Sequence, residues 1–135
     1  MRNKKFKRYC KSLQLNDDPN LIAEYKKVHS MGNVWKEVEE GMHEVGIIDM
    51  EIYLSGTTLF MIMDTQEDFN HEKAMTKLGS LRRQAEWETF VSKFQKSSSD
   101  SSAKEKWHLL ERIYELDQNK NYSAENGYLK ELDIQ

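Results

Sequence analysis

The hydrophobic positions of the chain change period several times, and each change marks an element. From Lys5 to Leu15 they alternate loosely, with Tyr9, Leu13 and Leu15 on one parity, which predicts a strand. Asn16-Asp17-Asp18-Pro19 is a turn signal. Asp18 suits a helix N-cap, and Pro19 suits the first helical position, where a missing amide proton costs no hydrogen bond. Leu21, Ile22, Tyr25, Val28 and His29 then share one helical face. Gly32-Asn33 interrupts that face, and Val34, Trp35, Val38, Met42 and Val45 form a second stripe with Gly46 placed to end it.

At Ile47 the period becomes two: Ile48, Met50, Ile52 and Leu54 lie on one side, Asp49, Glu51 and Tyr53 on the other. Ser55-Gly56 makes a short turn into a second apolar strand, Thr57 to Asp64, so the two predict an antiparallel hairpin. Thr65 and Asp68 mark a helix start before Phe69, Ala74 and Leu78, and Gly79-Ser80 separates this segment from a helix carrying Leu81, Trp87, Glu88, Val91 and Phe94. The serine-rich stretch 96–103 cannot bury apolar surface and predicts a mobile loop. Alternation from Trp107 to Leu116 predicts a fourth strand, and the polar tail 118–135 has only Tyr128, Leu129 and Leu132 as anchors.

The order strand, helix pair, two strands, helix pair, strand is the split β-α-β pattern of an α+β, ferredoxin-like fold. A four-stranded antiparallel sheet would carry helices on one face and leave the other bare. The simplest cover for that face is a second copy in a twofold dimer. One domain, 1–117, followed by the tail accounts for the whole length of 135 residues.

Composition narrows the partners. Twenty basic against 23 acidic residues leave a net charge of −3, so nothing draws the chain as a whole to nucleic acid or to an anionic membrane. The basic residues among the first eleven are interleaved with Phe6 and Tyr9, as on a solvated strand edge. The longest apolar run is five residues, Leu59 to Met63, where a spanning helix needs about 20. A single cysteine, Cys10, and no signal-like apolar segment point to a cytoplasmic protein.

Histidines at 29, 43, 71 and 108 match no short metal-ligand spacing, so a bound metal is not expected. The glycine-rich phosphate loops and the Gly-x-Ser-x-Gly elbow are also missing, which argues against nucleotide binding and serine hydrolysis. Tyr25 and His29 stand out because a spacing of four places them about 6 Å apart on one helix face. Spacing alone favours a packing role for both. The alternative is an imidazole and a phenol converging on a pocket between helices and sheet, where histidine is suited to proton exchange near neutrality. Glu86 and Trp87 form a second candidate pair. Trp87 is either core or a platform for the C–H face of a sugar, with a neighbouring carboxylate to accept hydrogen bonds from hydroxyls. Asp49, Glu51 and Tyr53 are interface candidates.

Several stretches together resemble the L-rhamnose mutarotase family, including its L-fucose branch. They are Glu24-Tyr25-Lys-Lys-Val-His29, Val34-Trp35-Lys-Glu-Val, Asp49-Met-Glu-Ile-Tyr53-Leu, Leu59-Phe-Met-Ile-Met63, Glu86-Trp87-Glu-Thr-Phe90, and Glu105-Lys-Trp107 through Glu111-Arg-Ile-Tyr114. The likeness runs from about residue 5 to 117 with its motifs in order. It implies a homodimer forming a dimeric α+β barrel, which interconverts the α and β anomers of a deoxyhexose without a cofactor. It also implies His29 as the catalytic acid/base and Tyr25, Met50, Glu86 and Trp87 as substrate-binding residues. Met50 stands where rhamnose-type members carry a strand tyrosine, and Glu86-Trp87 where they carry paired tryptophans. These departures make L-fucose the leading alternative sugar. Readings from other classes are a cofactor-free, dimeric ferredoxin-like monooxygenase and a non-catalytic sugar-binding dimer.

Overall fold

The computed structural model describes residues 2–96, 102–116 and 123–134. Most of the serine-rich loop and the first part of the polar tail lie outside the described residues. Among the described residues five strands form one sheet: β1 (Arg2–Gln14), β2 (Ile47–Ser55), β3 (Thr58–Thr65), β4 (His108–Leu109) and β5 (Tyr128–Ile134). The helices are α1 (Pro19–Val28), α2 (Lys36–Glu44), α3 (His71–Ser80), α4 (Gln84–Val91) and α5 (Ala103–Lys106), with a 3-10 turn over Ser92–Phe94. The strand order β2-β3-β1-β4, antiparallel at each pairing, is the expected split β-α-β arrangement.

One parity of the sheet faces the helices. Tyr9, Leu13 and Leu15 beside Leu59, Met61 and Met63 are buried, and α1 to α4 pack Tyr25, Val38, Met75, Leu78, Trp87 and Val91 onto them. Burying a side chain of this size contributes roughly 1.5–3 kcal/mol, so this single layer dominates the stability. The opposite parity carries the Arg8–Asp64 pair at 2.8 Å and leaves Tyr53 and Phe60, which are register partners, exposed.

Local signals place several of these elements. Asp18 Oδ1 accepts from the amides of Asn20 (2.9 Å) and Leu21 (3.2 Å), with Pro19 opening α1 as anticipated. Gly46, at φ +103°, follows the end of α2. Helix α3, in contrast, starts later than Thr65 or Asp68, because Thr65 still pairs in β3 and Asn70 provides the cap to the Lys73 amide.

Three expectations require correction. A register shift between Ile47 and Asp49 inserts Ile48 as an extra residue, so Ile47 is buried and Ile48 exposed although Met50, Ile52 and Leu54 still face inward. The strand expected over Trp107–Leu116 shrinks to His108–Leu109, paired with Ser12 and Lys11. Its would-be continuation is blocked because β5 occupies β1 from Arg2 to Arg8, which makes five strands instead of four. Residues 110–116 therefore leave the sheet, with Ile113 and Leu116 exposed.

Candidate active site

A cavity of about 330 Å³ lies between the helical layer and the inward face of the sheet. Its size is at the small end of the range for ligand pockets. Much of the wall is methionine: Met50 on β2, Met61 and Met63 on β3, Met42 on α2 and Met75 on α3. Into this apolar shell project Tyr25 and His29 from the end of α1, Gln84, Trp87 and Glu88 from α4, Gln95 after the 3-10 turn, and Lys11 from the middle of β1. A larger concavity of about 430 Å³ beside residues 109–115 and 123–128 contains none of the site residues predicted from sequence.

His29 is the C-cap of α1, and its placement depends on Tyr25. The His29 amide donates to the Tyr25 carbonyl at 3.3 Å, and ring Nδ1 approaches the same oxygen at 2.9 Å. A carbonyl only accepts, so Nδ1 carries the proton and Nε2 is the nitrogen left to meet a ligand. Burial pushes the imidazole below its ordinary pKa, and the bond to Tyr25 opposes this only in part. The Tyr25 ring lies 4.1 Å from that of His29, and its hydroxyl engages Gln95. Burial raises the phenol pKa, so Tyr25 is a hydrogen-bonding group and not a phenolate.

Trp87 forms the next wall, edge-on to His29 at 5.6 Å. It is held from behind by Trp35 at 5.1 Å, which stacks on Phe90 and lies under the Arg83 guanidinium at 4.2 Å. Arg83 sits at φ +64°, a left-handed conformation that costs a non-glycine residue roughly 1–2 kcal/mol. Its cation–π contact and its ion pairs to Glu37 (3.7 Å) and Glu86 (3.6 Å) offset that strain.

Of the residues predicted from sequence, the fold therefore brings Tyr25, His29, Met50 and Trp87 to one cavity. Glu86 does not line it; its side chain is 66% exposed and faces Arg83. Helical spacing is the reason, since positions 84, 87, 88 and 91 share the inward arc of α4. The carboxylate on that arc is Glu88, which accepts from Gln84 Nε2 at 3.0 Å and pairs with the buried Lys106 at 3.1 Å. Burial raises the Glu88 pKa, while Lys106 and Gln84 pull it back. Lys11, Gln84 and Gln95 also line the cavity, although no motif singles them out. Lys11 could have been found, because it shares its parity with Tyr9, Leu13 and Leu15.

Two buried acceptors on the cavity residues, Gln84 Oε1 and Gln95 Oε1, have no hydrogen-bond partner among the described residues. A ligand rich in hydroxyl donors would satisfy them. No cluster of three or more His, Cys, Asp or Glu able to hold a metal ion occurs among the described residues, and no described helix is long and apolar enough to cross a membrane.

Comparisons with known proteins show the family and the fold. Residues 8–116 match the family model described as L-rhamnose mutarotase. An L-fucose mutarotase of Xanthomonas campestris pv. campestris is 40% identical over 110 residues, covering 81% of this chain and 87% of that protein. A Dictyostelium discoideum protein described as a UPF0734 protein is 40% identical over 116 residues, covering 83% of this chain and 91% of its own length. The crystal structure of an L-rhamnose mutarotase from Formosa agariphila superimposes with a TM-score of 0.57 at 16% identity, covering 82% of this chain and 98% of that one, which supports the shared fold. With the family model spanning most of the chain, this chain belongs to the L-rhamnose mutarotase family.

Proposed function

We propose that this protein is a mutarotase that interconverts the α and β anomers of a 6-deoxyhexose, with L-fucose as the first candidate and L-rhamnose as the second. The observation that carries the reading is a half-buried, neutral-leaning imidazole whose Nδ1 is tied to the backbone, turned towards a small cavity with unpaired amide oxygens. The order of the sugars rests on the 40% identity to an L-fucose mutarotase and on Met50 in place of a tyrosine on β2.

Mutarotation needs only proton movement. A base takes the anomeric hydroxyl proton as the C1–O5 bond opens, the ring oxygen gains a proton, and the free aldehyde rotates before O5 recloses on its other face. In this proposal His29 Nε2 takes and returns the anomeric proton, an exchange of the kind that typically accelerates reactions by 10²–10⁴. Tyr25 and Trp87 position the sugar, Trp87 through its indole and Tyr25 through its ring and hydroxyl, while Met50 shapes the floor. Gln84, Gln95 and Glu88, in place of Glu86, take the polar role towards the sugar hydroxyls.

We further infer a cytoplasmic homodimer that buries the open sheet face, supported by the exposed neighbours Tyr53 and Phe60. Saturation-transfer NMR on equilibrated L-fucose and L-rhamnose tests the activity. Faster exchange between anomeric signals is expected for wild type and is lost in His29→Ala. Exchange at the buffer rate for both sugars with wild-type protein would rule the reading out.

A further inference from the structure

Two lysines have buried side chains close to the cavity, and the structure treats them differently. Lys106 is fully enclosed but satisfied: its Nζ is 3.1 Å from Glu88 Oε1 and 2.6 Å from the Glu88 carbonyl. Lys11 is 2% exposed, lines the cavity, and has neither a hydrogen bond nor an ion pair among the described residues. An ammonium on a side chain this deeply buried, open only to the cavity and without a carboxylate beside it, is costly, so such lysines are rare in cores unless they serve a site. The fold does not need Lys11. It sits opposite Met61 on β1 among Tyr9, Leu13 and Leu15, where an unbranched apolar side chain would pack at no electrostatic cost.

A neutral sugar needs no counter-charge, but opening its ring requires a proton at O5. We propose that Lys11 is the second catalytic residue of the mutarotation, the acid that protonates the ring oxygen while His29 takes the proton from the anomeric hydroxyl. The inference rests on the mutarotase reading given above. The step balances internally: as C1–O5 breaks, its electron pair takes a proton from Lys11 Nζ, and the O1–H pair forms the carbonyl as its proton passes to His29 Nε2. Reclosure returns both protons, so each residue ends in its starting state and no co-reactant is needed.

The surroundings suit this division. Burial pulls the Lys11 pKa down to about 8, which leaves the amine charged at neutrality yet ready to give up a proton. The other titratable groups lining the cavity are Tyr25 and His29 from α1, Glu39 from α2 and Glu88 from α4, the last compensated by Lys106 of α5. His71 of α3 lies within electrostatic reach, its pKa lowered to about 4 by burial and then by the charge of Lys11, so it is neutral and does not compete as an acid. Tyr9, on the same face of β1, is raised to about 12 by burial and remains protonated.

The test compares wild type with Lys11→Met and Lys11→Arg by saturation-transfer NMR on L-fucose and L-rhamnose between pH 5 and 9.5, corrected for the buffer rate. Wild type should show a bell-shaped profile whose alkaline limb falls near pH 8. Lys11→Met should lose about 10²-fold or more in kcat and lose that limb, while its thermal midpoint stays equal or rises because an uncompensated buried charge has been removed. Lys11→Arg, which can donate a hydrogen bond but not release its proton, should keep KM within a few-fold and still lose kcat. Lys11→Met within threefold of wild type, or an unchanged alkaline limb in either variant, overturns the role of Lys11 and leaves the mutarotase reading standing. Wild type that accelerates neither sugar overturns both.

Discussion

The His29 imidazole lies against the Tyr25 ring with centroids 4.1 Å apart and planes inclined by 30°, while its Nδ1 donates to the Tyr25 carbonyl at 2.9 Å. One residue thus fixes both the tilt and the tautomer of the other. The helical spacing of four makes this possible, since it brings a carbonyl and a ring one turn back to the same side chain. The outcome is a histidine with a single nitrogen facing the cavity, defined before any ligand arrives.

Burial holds this imidazole neutral, and the pH dependence follows from the sign of that shift. The His29 pKa is depressed from 6.5, so above it Nε2 keeps its lone pair. Below it the base is lost. The buffer-corrected exchange rate should therefore be level at neutrality and fall as pH drops through a value under 6.5. Replacing His29 with Gln should lower the rate 10²–10⁴-fold and abolish that acid limb. An acid limb that persists in His29→Gln would assign it to another group.

The buried Lys106–Glu88 pair, with side chains 0% and 10% exposed, should act as a structural clamp between α5 and α4. Lys106→Met removes one partner and leaves a largely buried carboxylate without its counter-charge, a change that costs about 3–5 kcal/mol. Adding Glu88→Leu should recover much of the loss by removing the orphaned charge. Urea denaturation of the two variants measures this, and equal stability of single and double variants would contradict it.

Gly127 is expected to tolerate no side chain. It has φ +79°, and a Cβ there would lie 2.6 Å from Tyr9 Cζ on the neighbouring strand, inside the core. Gly127→Ala should destabilise the protein by roughly 1–3 kcal/mol through overpacking and backbone strain. A lowered thermal midpoint checks this; an unchanged one would mean that the entry to β5 does not constrain the sheet.

Phe60 and Tyr53 provide a test of the proposed dimer. They are 41% and 53% exposed and adjacent on the sheet face that carries no helix. Phe60→Glu places a charge in the middle of that face and should convert a dimer into a monomer in analytical ultracentrifugation. Wild-type protein that sediments as a monomer at all concentrations would remove the dimer from the reading.

Periodicity and local caps were enough, without any tertiary information, to identify α1 with its Asp18-Pro19 start, the β2–β3 hairpin and the split β-α-β order. Each depends on neighbours in sequence: a cap satisfies amides two and three residues on, and alternation repeats every second residue. The pairing of Tyr25 with His29 was legible for the same reason, being one turn of one helix. Competition between distant segments decided the rest. Residues 107–116 alternate well enough to be a strand, yet β5 takes most of the β1 edge and leaves them only two paired positions. The rotation of α4 about its axis is set by packing against Trp35 and His29, so Glu88 and not Glu86 reaches the cavity. Lys11 shows the division most clearly. Its parity is visible in the sequence, but only the packed structure establishes that it is buried beside a cavity with no carboxylate paired to it among the described residues, because a partner's absence is a property of the space around a side chain.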